Sequence, residues 1–157
     1  MRNKTKIGLA YVLTLAGILI WLGAVFLAPY LQSRGIAFFR FIYGCFSTVC
    51  HQKPTRSFFI FGHPVAVCAR CLGIYLGFLG GLVVYPLNRG FSRLRLPDKR
   101  FFFAVSAPIV LDTAANVLGF WNTSNAIRFA LGFSWGLILP FYFLTGIGEL
   151  VLPRKKL

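Results

Sequence analysis

The chain has 157 residues, enough for one domain, and 57% of them are hydrophobic and 17% aromatic. This apolar content exceeds what the core of a soluble domain of that size needs, so the composition indicates a membrane protein. The formal net charge of +14 would suggest nucleic-acid binding in a soluble protein. Here the basic residues form short clusters between long apolar runs, so the charge pattern fits a membrane protein and no nucleic-acid partner is expected.

The first apolar run, at about 7–28, follows a basic segment and ends before Pro29. At about 1.5 Å per residue it is long enough to cross a ~30 Å hydrocarbon layer, and it is too long for the core of a signal peptide. We therefore expect an uncleaved first span. Residues 36–49 are also apolar, but they are too few to cross and contain Arg40, which predicts a short interfacial or re-entrant helix.

Three further spans are predicted at about 67–87, 101–120 and 126–147. Before the second span, short runs rich in Phe, Ile and Val on either side of Gly62 and His63 predict a small hairpin. Glycines repeat every four residues in the second and fourth spans, which predicts close helix packing; they are Gly73, Gly77 and Gly81, then Gly132 and Gly136.

The expected fold is an all-α integral membrane protein: a four-span helical bundle with a short interfacial helix and a Cys/His-containing cap loop at 32–71. The single membrane domain takes in residues 1–157. Lys and Arg number eleven in the terminal segments and the 88–100 loop, against six in the 32–71 cap and at the start of the fourth span. By the positive-inside rule both termini are expected in the cytoplasm, the cap on the outside, and the protein in the plasma or inner membrane.

The stretch from Cys50 to Gly77 concentrates the metal-ligating residues, because it holds three of the four cysteines and both histidines. A tetrahedral zinc site needs four such ligands, and the pattern Cys-His followed by Cys-x-x-Cys supplies Cys50, His51, Cys68 and Cys71. The last two stand three residues apart at a predicted helix start, so both sulfurs can reach one ion. His63 is an alternative fourth ligand.

Two other readings of the cysteines stay open, a redox pair and inert thiols. A Cys-x-x-Cys at a helix N-terminus gains thiolate stabilisation from the dipole, and Arg70 between Cys68 and Cys71 adds positive charge. Cys45 and Cys50 could form a second pair. This layout is analogous to that of quinone-linked disulfide-forming membrane proteins, in which case quinone would be the cofactor. Whether the chain is an enzyme, and which residues would be catalytic, is left open.

Polar residues at the outer ends of the spans suggest a further site. Asp112 is an intramembrane carboxylate with Asn116 one turn on, and its expected role is an ion pair with Arg128 or a helix-to-helix hydrogen bond. On the same side Arg56 and Arg70 bring the arginines to three against one acid, and Asn125 also lies there. Surplus guanidinium suits phosphate, so we expect an anionic ligand, with a phospholipid or polyprenyl phosphate ahead of a soluble metabolite.

The motifs resemble those of a family of small bacterial and archaeal membrane proteins of unknown function. The shared pattern is Cys-His-Gln, then Arg-Ser, then Cys-x-Arg-Cys-x-Gly-x-Tyr-x-Gly, and it is complete in this chain at Cys50, His51, Gln52, Arg56, Ser57, Cys68, Arg70, Cys71, Gly73, Tyr75 and Gly77. In the second half the matching residues are Asp112, Ser124, Asn125, Arg128 and Gly132, although Thr113 stands where the pattern usually has glycine. The resemblance covers roughly 40–136 and implies a fold and a site, with no known activity.

Overall fold

The structure is a computed structural model that describes residues 2–89 and 98–151. Most of these residues lie in five α-helices. In chain order the elements are α1 (Arg2–Ser33), α2 (Phe39–Ser47), a 3-10 turn (Pro54–Arg56), β1 (Phe59–Ile60), β2 (His63–Pro64), α3 (Ala69–Arg89), α4 (Lys99–Val117) and α5 (Asn125–Val151). Residues 90–97 of the basic loop and 152–157 of the basic tail, on which the expected orientation partly rests, lie outside the described residues.

Four of the helices contain segments long and apolar enough to cross a membrane, and these are Lys6–Ser33, Ala69–Pro86, Arg100–Val117 and Asn125–Ile147. The nine-residue α2 is too short to cross. It buries Ile42 and Phe46 and exposes Phe41, as expected of a helix lying on a bundle. The predicted class, an all-α membrane bundle with four spans and one short extra helix, is confirmed.

The first helix does not end at Pro29, as the sequence suggested, but continues to Ser33. Proline lacks the N–H that would bond the carbonyl four residues earlier, which here is that of Val25. That carbonyl instead accepts a hydrogen bond from the backbone N–H of Ala66, at 3.5 Å. The proline therefore leaves free an acceptor to which the cap attaches, and the helix is not broken because neighbouring backbone satisfies the freed group.

The most extensive helix contact in the described part of the chain joins α3 and α5. A Cβ at Gly73 or Gly77 would collide with the backbone oxygens of Phe129 and Phe133. Conversely, a Cβ at Gly136 would meet the backbone of Ile74. Because the contact pairs advance in the same direction along both helices, α3 and α5 are parallel and touch backbone to backbone, as small-residue repeats permit in lipid.

The cap, residues 32–71, folds over one end of the bundle, which we call the cap end. β1 and β2 form an antiparallel hairpin, and its turn residues Phe61 and Gly62 both have positive φ, 54° and 78°. This matches a type I′ turn. The buried segment Val65, Ala66 and Val67 follows and packs in one cluster with residues of α1 and α2. This segment leads directly into the start of α3.

The loop between α4 and α5 returns to the same end. α4 ends earlier than expected, at Val117, because Gly119 adopts a left-handed conformation with φ 77°. The N–H of Phe120 then bonds the carbonyl of Ala115 at 3.0 Å, which is the Schellman pattern of a helix C-terminus. The short connection places the end of α4 beside the start of α5 at the cap end.

Candidate metal centre and polar cavity

Three cysteines from two separate parts of the chain converge at the cap end. Cys50 follows α2, Cys68 immediately precedes α3, and Cys71 lies in the first turn of α3. Their sulfur atoms all lie within 4.8 Å of one another. Cys50 is buried and the other two are half-buried. We call these residues the three-cysteine group.

Backbone and amide contacts hold Cys50 against the start of α3. The Cys50 N–H bonds the carbonyl of Phe46 at 2.9 Å, which extends the last turn of α2. Two residues on, Gln52 has a positive φ of 46°, and its side-chain amide donates to the carbonyls of Tyr43 at 2.9 Å and Ala66 at 2.8 Å. Gln52 therefore joins α2 to the segment that leads into α3.

The electrostatics of the group favour a thiolate at Cys50. The thiols of Cys68 and Cys71 donate to the Cys50 sulfur and hold its pKa well below the usual range, although burial opposes this. The backbone N–H of Cys68 also donates to it, at 3.2 Å. Thiolate is the form of cysteine that binds metal and attacks disulfides, so the arrangement suits either chemistry.

The three-cysteine group fits a tetrahedral zinc ion. With Zn–S bonds of about 2.3 Å, tetrahedral geometry places sulfurs roughly 3.8 Å apart, and the observed limit of 4.8 Å requires only small side-chain adjustments. Sulfur is also the ligand that zinc accepts in closed structural sites. The group supplies three of the four ligands such a site needs.

Neither histidine joins this group among the described residues. The His51 side chain is exposed, and His63 is half-buried in β2. His51 is adjacent to Cys50, and neighbouring residues direct their side chains differently unless a tight turn intervenes. Cys45 is exposed on α2 and remains apart as well. The structure thus brings together three of the four expected metal ligands and leaves His51 outside.

A second cluster of polar side chains lies between α3, α4 and α5. Asp112 forms an ion pair with Arg70, and the side chains are 7% and 19% exposed. The Thr123 hydroxyl donates to the same carboxylate, and the Asn116 amide donates to it at 3.1 Å. The expected partner of Asp112 was Arg128, but the ion pair is made by Arg70, because α3 places that guanidinium at the carboxylate.

Arg128 is instead held by neutral groups. Its guanidinium donates to the amide oxygens of Asn116 at 2.9 Å, Asn125 at 3.1 Å and Asn122 at 3.2 Å. Asn125 in turn donates to the carbonyl of Thr55 in the cap at 3.3 Å. Hydrogen bonds therefore run without interruption from the ion pair to the cap.

Beside Arg128 lies a polar cavity of about 430 Å³, formed by the cap and the loop between α4 and α5. Three basic residues line it, Lys53, Arg56 and Arg128, together with hydroxyl and amide side chains. Of the residues expected to form a polar site, Arg56, Asn125 and Arg128 line this cavity. Arg70 and Asp112 lie behind it in the network, and Gln52 acts separately, as a brace of the three-cysteine group.

Residues 50–142 match the model of a family described as predicted membrane protein, DUF2085. The chain belongs to this family. The match takes in all three cysteines of the group, together with Asp112 and Arg128. The family expected from the motifs is confirmed.

Two archaeal relatives support the assignment to DUF2085. An uncharacterized protein of Methanocaldococcus jannaschii is 38% identical over 152 residues, which cover 93% of this chain and 97% of the relative. An uncharacterized protein of Methanothermobacter thermautotrophicus is 32% identical over 113 residues, covering 69% of this chain and 87% of the relative. No solved structure matches the chain.

The sequence did not point to Asn122 and Thr123 as site residues of this DUF2085 protein. Both are in the loop before α5, and both contact the buried charges, Asn122 through Arg128 and Thr123 through Asp112. A signal was present, because the loop reads Trp-Asn-Thr-Ser-Asn. Residues 118–124 join the antiparallel helices α4 and α5, so polar side chains in such a short loop have to lie near both helix ends.

Proposed function

We propose that this membrane protein binds one zinc ion through Cys50, Cys68 and Cys71. The observation that supports the proposal is the convergence of their three sulfurs within 4.8 Å. Ligands from separate elements would then be joined by one ion, which stabilises the fold that brings them together. The role of such an ion here is structural: it fastens the end of α2 to the start of α3.

The fourth zinc ligand in this proposal is His51, which follows Cys50 directly. A change in its side-chain direction would complete a closed site of three cysteines and one histidine, the composition of many structural zinc sites. His63 is the alternative. A water molecule in the fourth position would give an open site, in which a zinc ion lowers the pKa of bound water.

The proposed location of this site is the outer face of the plasma or inner membrane, with both termini in the cytoplasm. Support comes from the distribution of Lys and Arg, with eleven in the terminal segments and the 88–100 loop and six on the cap side. The positive-inside rule places the richer side in the cytoplasm. The cap end of the bundle then faces outward.

Metal content of the purified protein tests the proposal. The full chain is purified in mild detergent without added metal, and zinc is measured by elemental mass spectrometry together with a free-thiol count. We expect one zinc per chain in the wild type and in Cys45→Ser, whose exposed thiol is outside the group. Cys68→Ser should retain less than a tenth of that zinc. Metal-free wild-type protein, or equal zinc in Cys68→Ser and Cys45→Ser, would contradict the proposal.

A thiol-disulfide oxidoreductase coupled to a quinone is the second candidate, and the closeness of the Cys68 and Cys71 sulfurs, which lie within 4.8 Å of each other, favours it. In this chemistry Cys68 and Cys71 lose two electrons and two protons to form a disulfide, and a quinone takes up both to become a quinol. Cys45 and Cys50 would form the second pair. Rapid acid trapping from cells tests this candidate, because four free thiols would exclude the oxidoreductase. A reduction potential of the Cys68–Cys71 pair far below about −300 mV, measured separately, would exclude it as well.

Binding of an anionic lipid or a polyprenyl phosphate is the third function expected from the sequence. It would use the polar cavity next to Arg128 and not the cysteines, so it is compatible with a metal at the three-cysteine group. The basic residues that line the cavity favour it.

A further inference from the structure

The polar cavity is a second site that the metal proposal does not use, and the inference drawn from it rests on the third candidate function, anion binding at this cavity. Its volume, about 430 Å³, falls within the range of small-molecule sites in proteins. The basic side chains on its wall come from the cap, in Lys53 and Arg56, and from α5, in Arg128. The remaining lining groups, such as Thr55, Asn122 and Ser124, are neutral.

Among the described residues that line the cavity, none is acidic. The whole chain has three acids. Asp98 precedes α4, whose 19 residues separate it from the cap end by about 28 Å, and Glu149 lies near the end of α5, still further away. The third acid, Asp112, is already paired with Arg70. Lys53, Arg56 and Arg128 therefore place three positive charges on the cavity wall, and the described lining residues include no carboxylate.

Arg128 is the most deeply buried of the three cations that line the cavity. It is 5% exposed, and the amide oxygens of Asn116, Asn122 and Asn125 fix the position of its guanidinium. Those oxygens carry no net charge, so they hold the cation without neutralising it. A buried charge is costly unless it is paired. An anion bound in the cavity would remove that cost at a guanidinium already held in place.

We propose that the polar cavity binds a phosphate-class anion, with Arg128 and Arg56 as its direct partners and Lys53 adding charge at the rim. Guanidinium groups bind phosphate oxygens in a bidentate manner and stay charged at all physiological pH values. The start of α5 at Asn125 adds the partial positive charge of a helix N-terminus. The anion is either the phosphate of a lipid headgroup or a free phosphate.

Binding is tested with the full chain and two arginine variants. Arg56→Gln removes a cation from the cavity wall. Arg40→Gln is the matched control, because Arg40 is an exposed cap residue on α2 whose guanidinium lies 5.8 Å from the ring of Phe39. Each protein in mild detergent is mixed with equal amounts of phosphatidylglycerol and phosphatidylcholine and examined by native mass spectrometry. Inorganic phosphate is titrated separately by calorimetry.

The wild type and Arg40→Gln should bind the anion equally, and Arg56→Gln should bind it about tenfold more weakly, as expected for loss of one charge-assisted hydrogen bond. Arg128→Lys keeps the charge but loses the planar guanidinium that donates two parallel hydrogen bonds, so it should weaken binding as well. Preference for phosphatidylglycerol without a response to inorganic phosphate identifies a lipid phosphate, and the converse a free anion.

Absence of both responses in the wild type would overturn the proposal. Equal binding by Arg56→Gln and Arg40→Gln would overturn it too, because the cavity would then not be the site. Zinc is measured in the same samples, so the outcome for the anion is independent of the outcome for the three-cysteine group.

Discussion

At the scale of single residues, Asp112 is distinctive because, within the described part of the chain, its carboxylate makes the ion pair with a cation of the cap end. Its carboxylate accepts hydrogen bonds from the side chains of Arg70, Thr123 and Asn116. The sequence predicted an ion pair or a helix-to-helix hydrogen bond for it, with Arg128 as the candidate partner, whereas the ion pair in the structure is with Arg70. Arg70 and Arg128 both belong to helix starts at the cap end, and one-dimensional spacing cannot say which guanidinium reaches α4. The choice depends on how α3 and α5 pack.

Removing the charge of Asp112 should destabilise the protein strongly. Asp112→Asn leaves the guanidinium of Arg70, 19% exposed, without a counter-charge, and breaking one partner of a buried pair costs about 3 kcal/mol. Thr113→Val, at the next residue of the same helix, is the control and should cost less. Unfolding in detergent is measured for both and for the double variant Asp112→Asn with Arg70→Gln, which should recover part of the loss. Additive costs would show that the two residues do not interact.

Gln52 should control the geometry of the three-cysteine group although it contacts no sulfur through its side chain. Gln52→Glu keeps the shape but replaces the donor that serves the carbonyls of Tyr43 and Ala66 by a carboxylate facing two acceptors. The loss of two hydrogen bonds predicts about 2 kcal/mol of destabilisation. Zinc competition with a chelator should show weaker binding than in the wild type. Gln32→Glu, elsewhere at the cap end, should match the wild type, and equal effects of both variants would exclude this role.

At the scale of helices, hydropathy predicted all four spans, because crossing a membrane requires long apolar segments in any fold. The glycine repeats also predicted close packing. They could not say that the two repeats meet each other, since either could have faced a different helix. Helix ends were less predictable: Pro29 lies inside α1 because the cap satisfies the freed carbonyl of Val25, which is a tertiary contact. Gly119, by contrast, is a helix-ending glycine that the sequence displays.

The α3–α5 contact predicts that a glycine substitution within it lowers the stability of the protein and that one outside it does not. Gly77→Ala would place a Cβ against the backbone oxygen of Phe133 and 3.0 Å from the Cα of Gly136, so the helices must separate, at a cost of about 1–3 kcal/mol. A Cβ at Gly23 of α1 has no atom within 4 Å, so Gly23→Ala should leave stability unchanged or slightly raised. Unfolding of both variants in detergent checks this, and equal stabilities would contradict the packing.

At the scale of the whole molecule, the proposed orientation rests on a count of Lys and Arg, and labelling of the cysteines tests it directly. Cys45 is exposed, whereas Cys50 is buried and the other two are half-buried within the group. A membrane-impermeant maleimide added to intact cells should label the wild type at Cys45 and should not label Cys45→Ser. Labelling that requires permeabilised cells would place the cap on the cytoplasmic side and reverse the proposed orientation.

The site as a whole was partly readable from the sequence. Cys50, Cys68 and Cys71 could be grouped by their chemistry, since soft ligands in a short stretch suggest one ion. The position of the His51 side chain outside the group could not be predicted from the sequence, because it depends on the local direction of the chain after Cys50. The polar cavity was expected from Arg56, Arg128 and Asn125, whereas the neutral oxygens that hold Arg128 depend on the loop before α5 and became visible only in the fold.

The interlocked glycines of α3 and α5 also determine which parts of the bundle can move relative to each other. Sliding one helix along the other by less than a four-residue repeat, about 6 Å, would press a side chain of one against the backbone of the other. The two helices therefore behave as a single rigid body, and this body carries Cys71, Arg70 and Arg128 at fixed separations. The walls of the polar cavity outside this body are the cap, with Arg56, and the loop before α5. A motion that widens the cavity would therefore displace one of these two walls while Arg128 stays in place on α5.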